Sequence, residues 1–232
     1  MTRHLFELPE TFSIPVTGEK ARFPIRRIFC VGRNYVAHAA EMGNEVDREA
    51  PFYFTKAPAA AVASGATIPY PPGTTDYHHE MELAVLIGAP AFRVAVADAP
   101  KAILGYCAAL DMTRRDLQGI AKDKRRPWDI GKDFENSAVF ASASRAGDVG
   151  ALEGLTVRLS VNGRVRQDAF LGDMVHSVPE VVADLSKYYH LVPGDVILTG
   201  TPAGVGPVVA GDVLDGEIGG LDPIRLTIGP AE

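Results

Sequence analysis

The stretch DYHHEMELAVLIG, residues 76–88, decides how this chain must fold. Strand periodicity sends Met81, Leu83, Val85 and Ile87 to one face and Ala84 and Leu86 to the other. Both faces are apolar, so the strand belongs inside a sheet that is covered on both sides. Yet Glu80 and Glu82 fall on the Ala84–Leu86 face, side by side; on a helix they would diverge by about 200°. Two ionised carboxylates leading into a buried strand cost several kcal/mol each, on the order of the penalties for buried ions, unless something offsets them. Three things would: protonation of one member, Arg or Lys partners, or a divalent cation held by both.

A hard cation takes several oxygen ligands, so a third acid strengthens that last option. Asp111 is the best candidate, because CAALDMT places it at the end of an apolar run where an acid also lacks a bland explanation. His78 and His79 are nearby alternatives. The E-x-E pattern is weak by itself, since exposed pairs of this kind are common on strands.

Composition narrows the class. The chain has 232 residues, 47% hydrophobic and 22% charged, as expected of a soluble globular protein. A net charge of −6 gives no reason to expect a nucleic-acid or anionic-membrane partner. The basic run KDKRRPW (Lys122 to Trp128) is a local exception, read either as a solvated loop or as a site for an anionic substrate. No stretch reaches the ~18 apolar residues of a membrane span. MTRHLFELPETFSIP lacks the apolar core of a signal peptide, so none is expected. Cys30 and Cys107 lie in apolar runs and read as buried free thiols. These features point to a reducing, cytoplasmic compartment.

Residues 1 to 24 show turn residues and little periodicity, and read as an irregular lead-in. RRIFCVG is a short strand. NYVAHAAEM follows as a short helix, with Asn34 as candidate N-cap and Gly43 as stop. PFYFTK is another strand; the prolines of IPYPPGTTDY exclude a central one. ADAPKAILGY is a helix candidate leading into CAALDMTRRDLQ. LTVRLSVNGRVRQ is a hairpin with Asn162-Gly163 at its tip. VPEVVADLSKYYHL is an amphipathic helix with Pro179 near its start. GDVILTGTPAGVG is a strand running into a glycine-rich loop. That loop lacks the Gly-Lys-Ser/Thr ending of a phosphate loop, which argues against nucleotide binding. No Gly-x-Ser-x-Gly elbow supports a serine nucleophile. With no repeat or linker, the body reads as one domain.

Six stretches together carry a resemblance: GRNYVAHAAEMG, PFYFTK, YPPGTTDYHHEMELAVLIG, LDMTRRDLQ, RPWDIGKDF and GDVILTGTPAGVG. In this order and spacing the chain resembles the fumarylacetoacetate hydrolase superfamily from about Arg26 to its C-terminus, in particular the acylpyruvate and fumarylpyruvate hydrolase branch. The resemblance implies an α+β fold that is mostly β, a mixed β-sandwich roll with short helices. It implies a 1–25 lead-in and a single catalytic domain over 26–232, usually assembled as a homodimer. It also implies a Mg²⁺ or Mn²⁺ ion held by Glu80, Glu82 and Asp111, a catalytic pair at His38 and Glu41, and a catalytic lysine at Lys132. Arg115, Gln118 and Thr201 match positions that line the family's substrate site. The implied substrate is a small diketo acid, and the implied setting is the breakdown of aromatic compounds.

The residue types suit that chemistry. Hydrolysis of a 2,4-diketo acid needs water to attack the C4 carbonyl and the C3–C4 bond to break, leaving the enolate of pyruvate, which a divalent ion stabilises as a Lewis acid. His38 and Glu41 stand at i and i+3, so Glu41 can hold the imidazole while His38 activates water, a contribution of about 10²- to 10⁴-fold. The bland alternative is a surface His–Glu pair. Gly32 and Gly43 flank this segment, as they would a lid. Lys132 would stabilise an oxyanion at C4 or bind the substrate carboxylate; otherwise it is a surface lysine beside Asp133. Arg115 suits bidentate carboxylate binding, with Arg114 as its rival. In TGTPAGVG the glycines would let backbone N–H groups approach a substrate carboxylate, with Thr201 adding a hydroxyl. Decarboxylation of oxaloacetate, or isomerisation of a related dienoate, would reuse the same metal–enolate site. A non-catalytic binder of small acids is the reading from another class.

Overall fold

The computed structural model describes residues 5–7, 9–41 and 48–232. Met81–Ile87 is buried at all seven positions in the middle of an eight-stranded mixed sheet. The sheet runs Phe52–Lys56, Arg27–Gly32, Asp195–Leu198, Met81–Ile87, Ile103–Asp111, Ala138–Phe140 and Ala61–Ala63, with Ser144–Arg145 also pairing on to Ile103–Asp111. Asp195–Leu198 is parallel to Arg27–Gly32, and Ala138–Phe140 to Ala61–Ala63; the other pairs are antiparallel.

The two faces of the central strand feed two cores. Leu83 and Val85 pack with Leu159, Leu214 and Leu226 of a second sheet. That five-stranded sheet runs Arg164–Phe170, Thr156–Val161, Val213–Ile218, Ile224–Ala231 and Thr67–Tyr70. Pro69 lies in its edge strand, where a missing N–H costs no ladder bond. Ala84 and Leu86 belong to the other core, with Cys30, Cys107, Ile14 and Phe23. Each fully buried Leu or Ile in these cores contributes roughly 1.5–3 kcal/mol. The result is the mostly β, mixed-sheet architecture with short helices that the resemblance implies.

Asn162 and Gly163 both have left-handed backbone, φ 52° and 74°, the pair a type I′ hairpin turn requires. Among the described residues four α-helices complete the fold: α1 (Val36–Glu41), α2 (Arg115–Asp123), α3 (Asp129–Lys132) and α4 (Val178–Leu185). Helix α4 starts at a capping box in which Ser177 and Glu180 satisfy each other's backbone N–H groups.

Several elements differ from expectation. The supposed lead-in contains a hairpin, Ser13–Pro15 against Arg22–Pro24, whose Ile14 and Phe23 seal the second core. ADAPKAILGY is not an α-helix: Val96–Ala102 is 3₁₀, and Ile103 begins a nine-residue strand. Asn34 does not serve α1; its amide donates to the carbonyls of His176 and Thr199 and accepts from the His176 N–H, tying three loops together. Gly43, the expected stop of α1, lies outside the described residues.

Candidate active site

The carboxylate cluster is assembled by strand register. Met81 faces Leu110 and Glu82 faces Ala109 in the antiparallel pair, and the Asp111 N–H donates to the Glu80 carbonyl at 2.9 Å. Three acids therefore meet where the apolar run ends. Glu80, Glu82 and Asp111 are 5%, 2% and 0% exposed, and each offers an oxygen within 4.8 Å of the others. His78 and His79 are not in this cluster. His78 faces Asp76 at 2.8 Å, and His79 faces Gln167 at 3.1 Å.

Cations have been folded in beside the acids. Lys132, from the single turn of α3, reaches Glu80 and Asp111 at 2.8 Å each and donates to the Thr113 hydroxyl at 2.7 Å. Lys56, fully buried, pairs with the other Asp111 oxygen at 2.8 Å and donates to the Lys132 carbonyl. Arg115, at the start of α2, pairs with Glu80 and donates to Gln118 at 2.7 Å. Arg114 points elsewhere, its guanidinium 4.0 Å from the Phe134 ring centroid.

The electrostatics separate the two glutamates. Burial works to raise Glu80, but Lys132 and Arg115 outweigh it and hold this carboxyl well below the usual range. Burial raises Glu82 well above that range, and the fields of Asp111 and Glu80 add to the rise. Burial lowers Lys132, but Asp111 and Glu80 win and raise it, so the lysine stays charged. Glu82 is thus the acid that the protein's own cations leave uncompensated. Its recorded partner is a neutral donor, the Gly200 N–H at 2.8 Å. A buried set of three hard oxygen donors with one acid still short of positive charge fits a divalent cation such as Mg²⁺ or Mn²⁺.

The His–Glu pair stands across from the acids. His38 Nδ1 lies 3.4 Å from Glu41, and burial lowers the imidazole below 6.5 while Glu80 and Glu41 oppose that shift. Glu41 in turn accepts the Gly204 N–H through both oxygens at 3.2 Å. The glycine-rich loop therefore presents its N–H groups to the protein's own Glu82 and Glu41, where a substrate carboxylate was expected. The Thr201 hydroxyl is also engaged internally, donating to the Met81 carbonyl at 2.8 Å and accepting from Gln167 at 2.7 Å.

His38, Glu80, Glu82, Arg115, Gln118, Lys132 and Thr201 line one inner hollow of about 40 Å³. That is room for about three water-sized groups at ~10–15 Å³ of accessible space each. Asp111 and Glu41 do not line it themselves but pair with residues that do, Asp111 with Lys132 and Glu41 with His38. The hollow opens into an outer cleft of about 860 Å³; Gly32, Arg33, Phe54, Lys122, Trp128 and Lys132 belong to both. Three supporting residues escaped the sequence reading. Lys56 looked like an ordinary strand end. Gln167 is fully buried on a strand whose flanking residues are exposed, where its amide holds His79, Met81, Thr201 and Pro202. Thr113 shares the lysine of α3.

Comparison with known proteins is decisive about ancestry. The sequence profile described as fumarylacetoacetate (FAA) hydrolase C-terminal matches residues 27–229. The chain belongs to the fumarylacetoacetate hydrolase family. A fumarylpyruvate hydrolase of a Ralstonia species is 52% identical over 193 residues, covering 82% of this chain and all of that one. An oxaloacetate tautomerase of Escherichia coli is 42% identical over 198 residues, covering 85% and 90% of the two chains. Among solved structures, a Pseudomonas aeruginosa fumarylpyruvate hydrolase in complex with Mn²⁺ and pyruvate superposes with a TM-score of 0.94 at 40% identity, covering 98% of this chain and 100% of that one. The family's fold is therefore the fold of this chain, and no helix among the described residues is long and apolar enough to cross a membrane.

Proposed function

We propose that this member of the fumarylacetoacetate hydrolase family hydrolyses the C3–C4 bond of an acylpyruvate, with fumarylpyruvate, giving fumarate and pyruvate, as the favoured substrate. The observation that carries the reading is His38, paired with Glu41, lining the same hollow as Glu80 and Glu82. The Ralstonia and Pseudomonas relatives supply the substrate name.

Glu80, Glu82 and Asp111 would hold a Mg²⁺ or Mn²⁺ ion, which would supply Lewis-acid polarisation of the substrate oxygens. The rest falls to side chains. Nδ1 of His38 faces Glu41, so Nε2 is left to take a proton from water. The resulting hydroxide adds to C4, the C3–C4 bond breaks, and its electron pair stays on the pyruvate fragment as the enolate. His38 then returns its proton to C3, giving pyruvate and the free acid. Lys132, whose three N–H bonds go to Glu80, Asp111 and Thr113, stabilises the developing oxyanion through its charge, and Arg115 and Gln118 offer donors to the substrate's proximal carboxylate. Thr201 lines the hollow through its backbone and methyl, because its hydroxyl is already engaged.

The enzyme is proposed to act as a cytoplasmic homodimer in the breakdown of aromatic compounds, its single domain spanning residues 26–232. The alternative, enolate chemistry on oxaloacetate at the same centre, is favoured by the Escherichia coli relative. An absorbance assay on acylpyruvates and on oxaloacetate, with and without chelator, separates the two. Loss of acylpyruvate absorbance that EDTA abolishes supports hydrolysis. Conversion of oxaloacetate alone overturns it.

A further inference from the structure

The basic run noted in the sequence has a place in the structure that the hydrolytic centre does not explain. Helix α2 carries Arg115, Gln118 and Lys122 at i, i+3 and i+7, one stripe on one face. Arg115 and Gln118 sit at the carboxylate cluster. Lys122 lies two turns further along, where the inner hollow opens into the outer cleft, and Arg33 lines both spaces with it. Burial lowers Lys122, and the nearby charges of Arg33 and Arg115 lower it further, against Asp123. Among the described residues no carboxylate stands in ion-pair contact with Arg33 or Lys122. Arg125 and Arg126 extend the positive rim, while Asp123 and Asp129 are the acids that line the outer cleft. Phe54 and Trp128, whose rings lie 5.8 Å apart, wall the passage between the two ends.

Two like charges that act on each other repel, and an anion placed between them would be attracted by both. The spacing indicates its size. Seven residues of α-helix separate Arg115 from Lys122 by about 10.5 Å. A seven-carbon diacid extended over six bonds spans about 7 Å, at a third of the ~3.5 Å three-bond repeat of an extended chain for each bond. With one charge-assisted contact of about 2.8 Å at each end the span becomes about 12.6 Å, which the long Arg115 and Lys122 side chains cover from backbone positions about 10.5 Å apart.

We propose that Lys122 and Arg33 form a second anion subsite, which binds the distal carboxylate of an acylpyruvate whose acyl chain is itself an acid. The passage walled by Phe54 and Trp128 takes the planar, apolar middle of that chain. This rests on the hydrolytic reading and deepens it, making the far end of the substrate the source of selectivity over acylpyruvates with uncharged tails.

The test measures kcat/KM for fumarylpyruvate and for an acylpyruvate of the same length with an uncharged tail, in the metal-loaded wild type and in Lys122→Gln, Lys122→Arg and Arg33→Gln. The wild type is expected to favour the diacid. Lys122→Gln and Arg33→Gln should each lower the diacid-to-neutral ratio by about 10- to 100-fold, mostly through KM, as for loss of a hydrogen bond to a charged group. Lys122→Arg should keep most of the preference. An unchanged ratio in both Gln variants, or a wild type without preference, overturns the subsite and leaves hydrolysis standing. Turnover of neither substrate by the wild type overturns the hydrolytic reading, and the subsite with it.

Discussion

Glu41 and Gly204, 163 positions apart, are joined by a backbone N–H that both carboxylate oxygens accept at 3.2 Å. This contact fixes the residue that faces His38, so the glycine-rich loop holds in place the partner of the proposed base. Gly204 has φ of +95°, and a Cβ there would run into the Arg166 carbonyl. Gly204→Ala is therefore expected to cost about 1–3 kcal/mol of backbone strain. By displacing the loop it should also lower kcat/KM about 100-fold, the scale of a 1 Å misplacement. Thermal unfolding and steady-state kinetics on one preparation check both. A lowered melting point with unchanged kcat/KM would show that the loop matters for folding alone.

Lys56 is fully buried, 2.8 Å from Asp111. Lys56→Met keeps much of the volume and deletes the charge, leaving Asp111 to Lys132. Removing one partner of a buried pair costs about 3–5 kcal/mol, because the other charge is left in a medium that cannot solvate it. Urea unfolding at neutral pH should show a loss of that size, with a nearly unchanged m-value. A loss below about 1 kcal/mol, the range of exposed pairs, would mean that Lys132 alone balances Asp111.

What the sequence disclosed, and what it hid, follows from which residues have a bland explanation. An acid at the end of a buried strand has none, so Glu80, Glu82 and Asp111 could be picked out before their oxygens were seen to meet. Asn162-Gly163 announced its hairpin because few dipeptides adopt two left-handed conformations. Lys56 and Gln167 stayed hidden because a polar residue near a strand end, or on an exposed hairpin, is ordinary; only the tertiary fold buries them. The ILGY end of ADAPKAILGY belongs to a strand, and so short an apolar run has no period to separate helix from strand. The Ser13–Pro15 hairpin has three-residue strands, too short to show alternation. The targets of the loop N–H groups, Glu82 and Glu41, come from elements more than 100 residues away, and no local pattern reports them.

Burial holds His38 below its ordinary value of 6.5, and a base works only when deprotonated. The sign follows: activity is full above that pKa and falls as pH drops through it. The acid limb of kcat/KM for hydrolysis should therefore have its midpoint below 6.5. His38→Ala should remove about 10²- to 10⁴-fold of hydrolysis and spare decarboxylation of oxaloacetate, which needs no attacking water. A limb centred above 6.5, or equal loss of both activities, would show that His38 is not the water-activating base.

Glu82 accepts a neutral N–H from Gly200 and sits beside two other acids, so it gains most from a divalent ion. An ion that binds the folded chain at 100 times its Kd adds about 2.7 kcal/mol of stability. For a chain of this size that is about 5–10 °C, at ~2–4 °C per kcal/mol. Mn²⁺ added to EDTA-treated protein should raise the melting temperature by this amount, and Mg²⁺ should do so at higher concentration. Glu82→Gln should abolish most of the Mn²⁺ shift. It should also raise the melting temperature of the metal-free protein, because it removes a carboxyl that Asp111 and Glu80 repel whenever it is ionised. The opposite signs make the test specific: a general loss of folding would lower the metal-free melting temperature. An equal Mn²⁺ shift in wild type and Glu82→Gln would place the ion elsewhere.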